Sequence, residues 1–497
     1  LILVIGLFII LKRKILYNVL FCSLLISFIS TLILSYDTIY RPDANLYHLP
    51  FTQIINENKI IFGISNIHFR FGHVSILQYL NANFNNFLFK ENGIIIPAAI
   101  IFSAFILYFY NEIKHHSEKN KIYTFYIFLL LAYILYGYNR YSEFGNDTIA
   151  HLFFFLISSY FLKDNYNKNV STEDFTKLVI LSLFCFMLKT SLILVFIFPI
   201  YIFLSNFKKK YIFNLSIIFN FFISLSWIIK NLIISGCIIY PIEITCFENL
   251  EWLSNRNEDL ISPKVQSLDN EAWTKGWPDY KGQTVTQKKY VENFYWVQTW
   301  LSNHGWLIFK KISIFILINL VLILVLAKIN TDKNYLKDKF NNKIYLLLIF
   351  SLICVFIWFI RFPVFRYGSS YVVVLTVTLS TIIAIKLNIF KIKIIKFQKF
   401  LNLCVIIFFI LFSLKHTLRI YKNYTYLAYN AWPQFPKKQD TKRISRPIFL
   451  NGKFAYYKLR NNQEGCGYTS SPCTPFLDEK NIYQKKINGY KFYLIKR

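Results

Sequence analysis

The chain has 497 residues, of which 55% are hydrophobic, 19% aromatic and only 16% charged. Soluble proteins carry about 25% charged residues, so this composition excludes disordered, coiled-coil and collagen-like classes. The formal charge of +30 would suggest nucleic acid if it formed a soluble basic patch. Instead the basic residues sit between long apolar blocks, at Lys12, Arg13 and Lys14, at Lys208, Lys209 and Lys210, and over 386–399. That placement fits cytoplasmic loops under the positive-inside rule, and nucleic acid is not an expected partner.

Residues 1–11 read as the end of a membrane span and not as a signal peptide, because no cleavage site follows. Further apolar blocks occupy 15–35, 94–110, 122–138, 148–162, 177–206, 211–234, 307–327, 343–360, 369–387 and 399–416. Backbone groups in lipid must be satisfied within the segment, so each block is expected to be a helix. The total comes to about 11–13 crossings at roughly 20 residues each. The block 177–206 is too long for one upright span and short for two. A break at Lys189 and Thr190 makes it cross twice; a single tilted helix is the alternative, and it would reverse everything downstream. With the break, the basic connections share one face, and the long stretches 36–93 and 235–305 share the other with the tail. The resulting plan is a membrane domain over 1–416 and a small extracytoplasmic domain over 417–497. The tail alternates aromatic and polar residues over 454–459 and 490–495, as short strands do.

Of the eight cysteines, Cys22, Cys185, Cys354 and Cys404 lie in apolar spans and read as small core residues. Cys237/Cys246 and Cys466/Cys473 form close pairs in polar stretches, without the spacing of a zinc site. If those stretches face outward, both pairs are disulfide candidates. Gly465, Gly467 and Pro472 favour Cys466/Cys473 by implying a tight loop.

Polar residues concentrate in the first long loop. Asp37 reads as a cap or solvated residue, whereas Asp43, Arg41, His48 and Pro50 emerge directly after an apolar span. A carboxylate at that depth is partly desolvated, which raises its pKa and strengthens it as a base. Phe51, Ile54, Ile55, Ile60 and Ile61 suggest an amphipathic element lying along the membrane interface. Asn66, His68, Arg70 and His73 follow, then a second amphipathic stretch over 74–89. On the same expected face, Asp147 ends the acidic segment 140–147 and reads either as a helix N-cap or as a second site carboxylate. In 361–368 (RFPVFRYG) Arg361 and Arg366 could converge on one anion, since arginine suits phosphate geometry. Their alternative is an aromatic–arginine belt. Lys189, inside the membrane, is a further anion-site candidate. The middle loop carries Trp252, Trp273, Trp277, Trp296, Trp300 and Trp306, which suit either sugar stacking or the membrane interface. Trp273 and Trp277, beside Gly276 and Pro278, are the most loop-like.

Five segments carry a family resemblance: 43–50 (DANLYHLP), 63–72 (GISNIHFRFG), 235–241 (SGCIIYP), 362–368 (FPVFRYG), and Cys466 with 472–475 (PCTP). In them the chain resembles LIC_10190-type bacterial polytopic membrane proteins. More distantly it is similar to the GT-C superfamily of membrane glycosyltransferases. The resemblance implies an all-α, GT-C-like membrane fold in the bacterial inner membrane, with large loops and C-terminal domain extracytoplasmic. It implies transfer of a sugar from a polyprenyl-phosphate-linked donor to a glycan or glycolipid acceptor. In that superfamily an acidic residue of the first outer loop is the catalytic base, and the matching position is Asp43. His48, His68, Arg70, Asp147, Lys189, Arg361, Arg366, Trp273 and Trp277 then form the expected substrate-binding set, beside membrane lipids. A divalent Mg or Mn ion accompanies some members, but the usual adjacent acidic pair is missing because Ala44 follows Asp43.

Two other functions fit the same residues. An O-antigen polymerase or ligase would rely on Arg361, Arg366 and His304 rather than on Asp43. A transporter of envelope glycolipids would show repeated halves with broken spans, and the chain has no visible repeat.

Overall fold

Apolar runs fold as helices in the computed structural model, which describes residues 25, 43–73, 75–85, 90–137, 145–163, 170–205, 215–253, 262–281, 285–329, 342–426, 445–450, 453–459, 465–466, 471–474 and 482–495. The principal helices are α1 (Leu49–Glu57), α2 (Ile76–Phe84), α3 (Ile96–His116), α4 (Lys121–Gly137), α5 (Asp147–Leu162), α6 (Thr172–Leu188), α7 (Ile197–Ser205), α8 (Leu215–Ser235), α9 (Pro263–Thr274), α10 (Trp306–Ile329), α11 (Lys343–Arg361), α12 (Phe365–Lys386) and α13 (Ile394–Tyr426). Six helical stretches among the described residues are long and apolar enough to cross a membrane; they fall on α3, α8, α10, α11, α12 and the Ile394–Leu418 part of α13. The span expected over 15–35 lies outside the described residues, apart from Leu25. Asp37, Arg41 and residues 140–144 also lie outside them.

The long block 177–206 breaks at Lys189, whose extended backbone ends α6 before a 3-10 turn, Thr190–Phe196, leads into α7. Ring contacts show that the chain doubles back. Phe186 meets Phe196 near the turn, and Phe175 meets Phe203 at the far end, with centroids 5.6 and 6.2 Å apart. One tilted helix would keep those pairs far apart, so the block is broken at Lys189 and folds back on itself.

At the centre lies α4, where every residue from Tyr123 to Leu135 is buried. Its 17 residues span about 25 Å, and α3, α5, α12 and α13 enclose it. Lipid tails are as apolar as leucine, so close packing rather than water exclusion holds such a helix. The outer helices do the opposite. Phe219, Phe221 and Phe222 of α8 and Leu307, Phe309 and Leu324 of α10 face outward, an arrangement that leaves in water a far larger apolar patch than soluble proteins tolerate.

Basic residues collect where α3, α4, α5, α12 and α13 meet at one end. Lys163 pairs with Glu112 at 3.0 Å, and Lys121 donates to the carbonyls of Phe390 and Ile392 at 2.9 and 2.7 Å.

The opposite end carries the strands. β1 (Ile61–Phe62), from the first loop, pairs in parallel with β6 (Tyr490–Ile495), which pairs in turn with β5 (Ile482–Ile487). A second sheet joins β2 (Ser445–Leu450), β3 (Lys453–Leu459) and β4 (Cys473–Thr474). The tail therefore shares a sheet with the first loop. This changes the role of α1. Phe51 and Ile54 are buried with Phe71, Ile448, Tyr456 and Tyr493, so α1 packs into a small protein core and does not lie along the lipid interface. Amphipathic spacing leaves the partner open, and here the tail strands provide it. Cys237 is bonded to Cys246, and Cys466 to Cys473.

Candidate active site

Asp43 is the first described residue of the first loop and is followed by a π-turn, Ala44–His48, that runs into α1. Pro50 occupies the first turn of α1, where its missing N–H goes unneeded. Downstream, Ser75 and Gln78 form a capping box that starts α2. The amide of Gln78 then meets His48 Nδ1 at 3.3 Å.

Arg70 sits in a 3-10 turn, Phe69–Gly72, whose N-cap is His68. The His68 ring is 2% exposed, and its Nδ1 accepts the Arg70 N–H at 3.1 Å. Burial, reinforced by the Arg70 charge, pushes His68 down to about 3, which keeps the ring neutral for that bond. His68 thus positions Arg70. Gly72 is closed in by the Tyr240 ring, which a Cβ would overlap. Asn66 donates to the Trp252 and Tyr493 carbonyls, both at 2.8 Å. One side chain therefore ties the first loop, the middle loop and the tail. Replacing Gly72 by alanine is expected to cost about 1–3 kcal/mol through overpacking and to lower the unfolding temperature. An unchanged melting curve would show that the Tyr240 contact is not rigid.

Arg366 opens α12, after Pro363 has ended α11. Its own carbonyl is held twice, by Lys189 Nζ at 2.6 Å and by His151 Nε2 at 2.8 Å. His151 also meets Ser370 at 2.9 Å. Lys189 pairs with Asp147 at 2.6 Å, and its side chain is only 7% exposed. Asp147 stands one residue inside α5, with Asn146 as the N-cap residue. A carboxylate there suits the positive end of the helix dipole. The Asn146 side chain donates to the Leu188 carbonyl, joining α5 to the break.

These arms meet at Asp43. Arg366 Nη1 donates to Oδ2 at 2.6 Å, and Arg70 Nη1 to Oδ1 at 2.9 Å. The three side chains remain 31–36% exposed, so the cluster stays open to solvent or ligand. Burial acts to raise the Asp43 carboxyl, but the charges of Arg366 and then Arg70 outweigh it and hold it below 3.8. Desolvation therefore does not produce the raised value expected of this carboxylate, because two guanidiniums accompany it. His48 is pushed by burial to about 4, against the pull of Asp43 and Asp147. Aromatic rings wall the cations. Arg70 lies 5.1 Å from the Tyr47 ring, Lys189 4.7 Å from Tyr367, and Arg366 5.6 Å from Trp273. The Arg366 Nε is buried and has no hydrogen-bond partner among the described residues.

A family described as Domain of unknown function (DUF8201) matches residues 4–373. The chain belongs to that family. The matched stretch takes in Asp43, Arg70, Asp147, Lys189 and Arg366, and ends before the tail strands. No curated protein and no solved structure matches the chain.

The remaining expected residues fall elsewhere. Arg361 is 65% exposed and pairs with Glu271 of α9 at 3.7 Å, so the two arginines do not converge on one carboxylate. Trp277 packs on Tyr280 and Tyr290, away from the Arg366 guanidinium that Trp273 covers. Among the described residues no three His, Cys, Asp or Glu side chains group as ligands for a metal ion. Asp43 and Asp147 each already face a guanidinium or an ammonium, a donor set that does not fit Mg or Mn. His151, Gln78 and Tyr367 were not singled out from sequence. His151 was findable, since it lies four residues after Asp147 on one helix face.

Proposed function

We propose that this protein transfers a sugar from a polyprenyl-phosphate-linked donor to a glycan or glycolipid acceptor at the outer face of a bacterial inner membrane. The observation that carries the reading is the meeting of Asp43, Arg70 and Arg366, from segments 27 and 323 residues away from Asp43, at the ends of apolar helices. The gathering of lysines at the other end supports an outward orientation of the cluster.

In this reading Asp43 accepts the proton of the acceptor hydroxyl. The freed oxygen attacks the anomeric carbon, and the bond from that carbon to the phosphate oxygen breaks, leaving its electron pair on the phosphate. Arg366, whose Nε–H has no described partner, and Arg70 stabilise that charge, as fixed donors do where charge develops. Three cations against two carboxylates leave the cluster net positive, which suits a phosphate. Trp273, exposed above Arg366, offers a stacking face for a sugar ring. The test is purified protein in proteoliposomes with labelled polyprenyl-phosphate sugars. Protein-dependent release of polyprenyl phosphate is expected, and a panel of donors giving none would remove the reading.

A second reading has one observation in its favour: both Asp43 oxygens are occupied by arginines, as in a carboxylate that aligns them. An O-antigen polymerase or ligase acting on undecaprenyl-diphosphate substrates would use the arginines in that way.

The pH profile follows from the shifts. Asp43, held below 3.8, stays ionised from pH 8 to pH 5, and His48, near 4, stays neutral, so neither produces an acid limb of activity in that range. The ion-pair contribution of Asp43 to stability is present above the unfolded carboxyl value and lost only as pH falls through the depressed one. His68 acts in the same direction but from a higher pH: the unfolded ring takes a proton near 6.5 and the folded ring only near 3. Stability therefore declines between those values as pH drops. Transfer rates measured across pH 5–8, and unfolding followed from pH 8 down to about pH 3, check these statements.

A further inference from the structure

Lys230 lies on α8, about one and a half turns before Ser235, where the helix ends. Half of the apolar side chains of α8 face outward, Phe219, Phe222 and Ile229 among them. A lysine on such a helix ordinarily reaches toward water, or donates to the last carbonyls. Lys230 does neither. Its Nζ is buried, makes no hydrogen bond and has no carboxylate beside it among the described residues. It rests between two rings, 4.9 Å from Trp227 and 5.4 Å from Tyr79 of α2.

Both rings lead to the cluster. Trp227 packs on Phe186 of α6 at 5.5 Å, one turn before Lys189. Tyr79 contacts Phe51 of α1 and adjoins Gln78, which meets His48. Arg70, Arg366 and Lys189 each have a carboxylate partner, whereas Lys230 has none among the described residues. A buried ammonium near the end of a helix of membrane-crossing length, in an aromatic slot beside outward-facing apolar side chains, calls for an anion that brings its own apolar tail. We infer that Lys230 is the docking cation for the phosphate headgroup of a membrane-embedded lipid that enters between α8 and α2. Resting on the function proposed above, that lipid is the polyprenyl-phosphate carrier, which reaches the Asp43 cluster from the side.

The experiment reads binding and not transfer, so it stands or falls apart from the role of Asp43. The full chain in detergent is titrated with undecaprenyl phosphate, phosphatidylglycerol or inorganic phosphate, and bound lipid is counted by native mass spectrometry. Lys230→Met is expected to weaken undecaprenyl phosphate binding at least tenfold, with Lys230→Arg restoring most of it. Lys230→Gln serves if the methionine variant does not purify. Equal binding by native and Lys230→Met protein overturns the site. Equal loss for phosphatidylglycerol assigns it to bulk lipid and overturns the carrier. Competition by millimolar inorganic phosphate overturns the need for a lipid tail.

Discussion

Asp43→Asn is expected to lower sugar transfer by about 100- to 10,000-fold, the range that a positioned general base contributes, while the protein still inserts and folds. The substitution keeps the shape of the side chain and removes the charge that Arg70 and Arg366 share. All three side chains are partly exposed, so water can solvate the released guanidiniums and the stability loss is small. Arg366→Ala is the companion measurement. In the base reading it also reduces transfer, but it leaves a proton acceptor in place. If Arg366→Ala abolishes transfer while Asp43→Asn keeps more than half of it, Asp43 only aligns the arginines and the polymerase or ligase reading takes over. His304→Ala belongs in the same assay, since that reading depends on it and the base reading does not.

Lys189→Met is expected to be the most destabilising single substitution near the cluster, by about 3–5 kcal/mol, because it strands a carboxylate in a poorly solvated place. Lys189 bridges Asp147 on α5 and the Arg366 carbonyl on α12, and its extended backbone is itself the break between α6 and the segment that folds back on it. The charge, the bridge and the break thus depend on one residue. Adding Asp147→Leu removes the stranded charge and should recover most of the loss, leaving about 1 kcal/mol for the missing donor to Arg366. Melting of the detergent-solubilised single and double variants measures the coupling. A single variant as stable as the double would mean that Asp147 finds water and that the pair is not a buried one.

Reading composition and periodicity alone locates most helices to within a few residues, as at 343–360 against Lys343–Arg361 and 211–234 against Leu215–Ser235. Such segments are visible because lipid leaves the backbone no other arrangement. Lys189 is legible for a related reason: a charge inside an apolar block must face protein or water. The same rule applied to Lys230 would have marked it as well. The pairing of β1 with β6, across more than 400 residues, has no local signature. Nor has the burial of Phe51 and Ile54 beneath the tail strands, since amphipathic spacing names a wet and a dry face but not what covers the dry one.

The sequence by itself determined that this chain forms apolar helices of membrane-crossing length, with basic residues at one end and chemistry-bearing residues at the other. It also offered Asp43, Arg70, Asp147, Lys189 and Arg366 as candidates. Only the tertiary structure decided that Arg366 joins Asp43 while Arg361 turns to Glu271, and that Asp43 is acidified rather than strengthened as a base. Helix formation depends on groups a few residues apart, which spacing reports. The charge state and partners of a carboxylate depend on which distant side chains packing brings within a few ångströms.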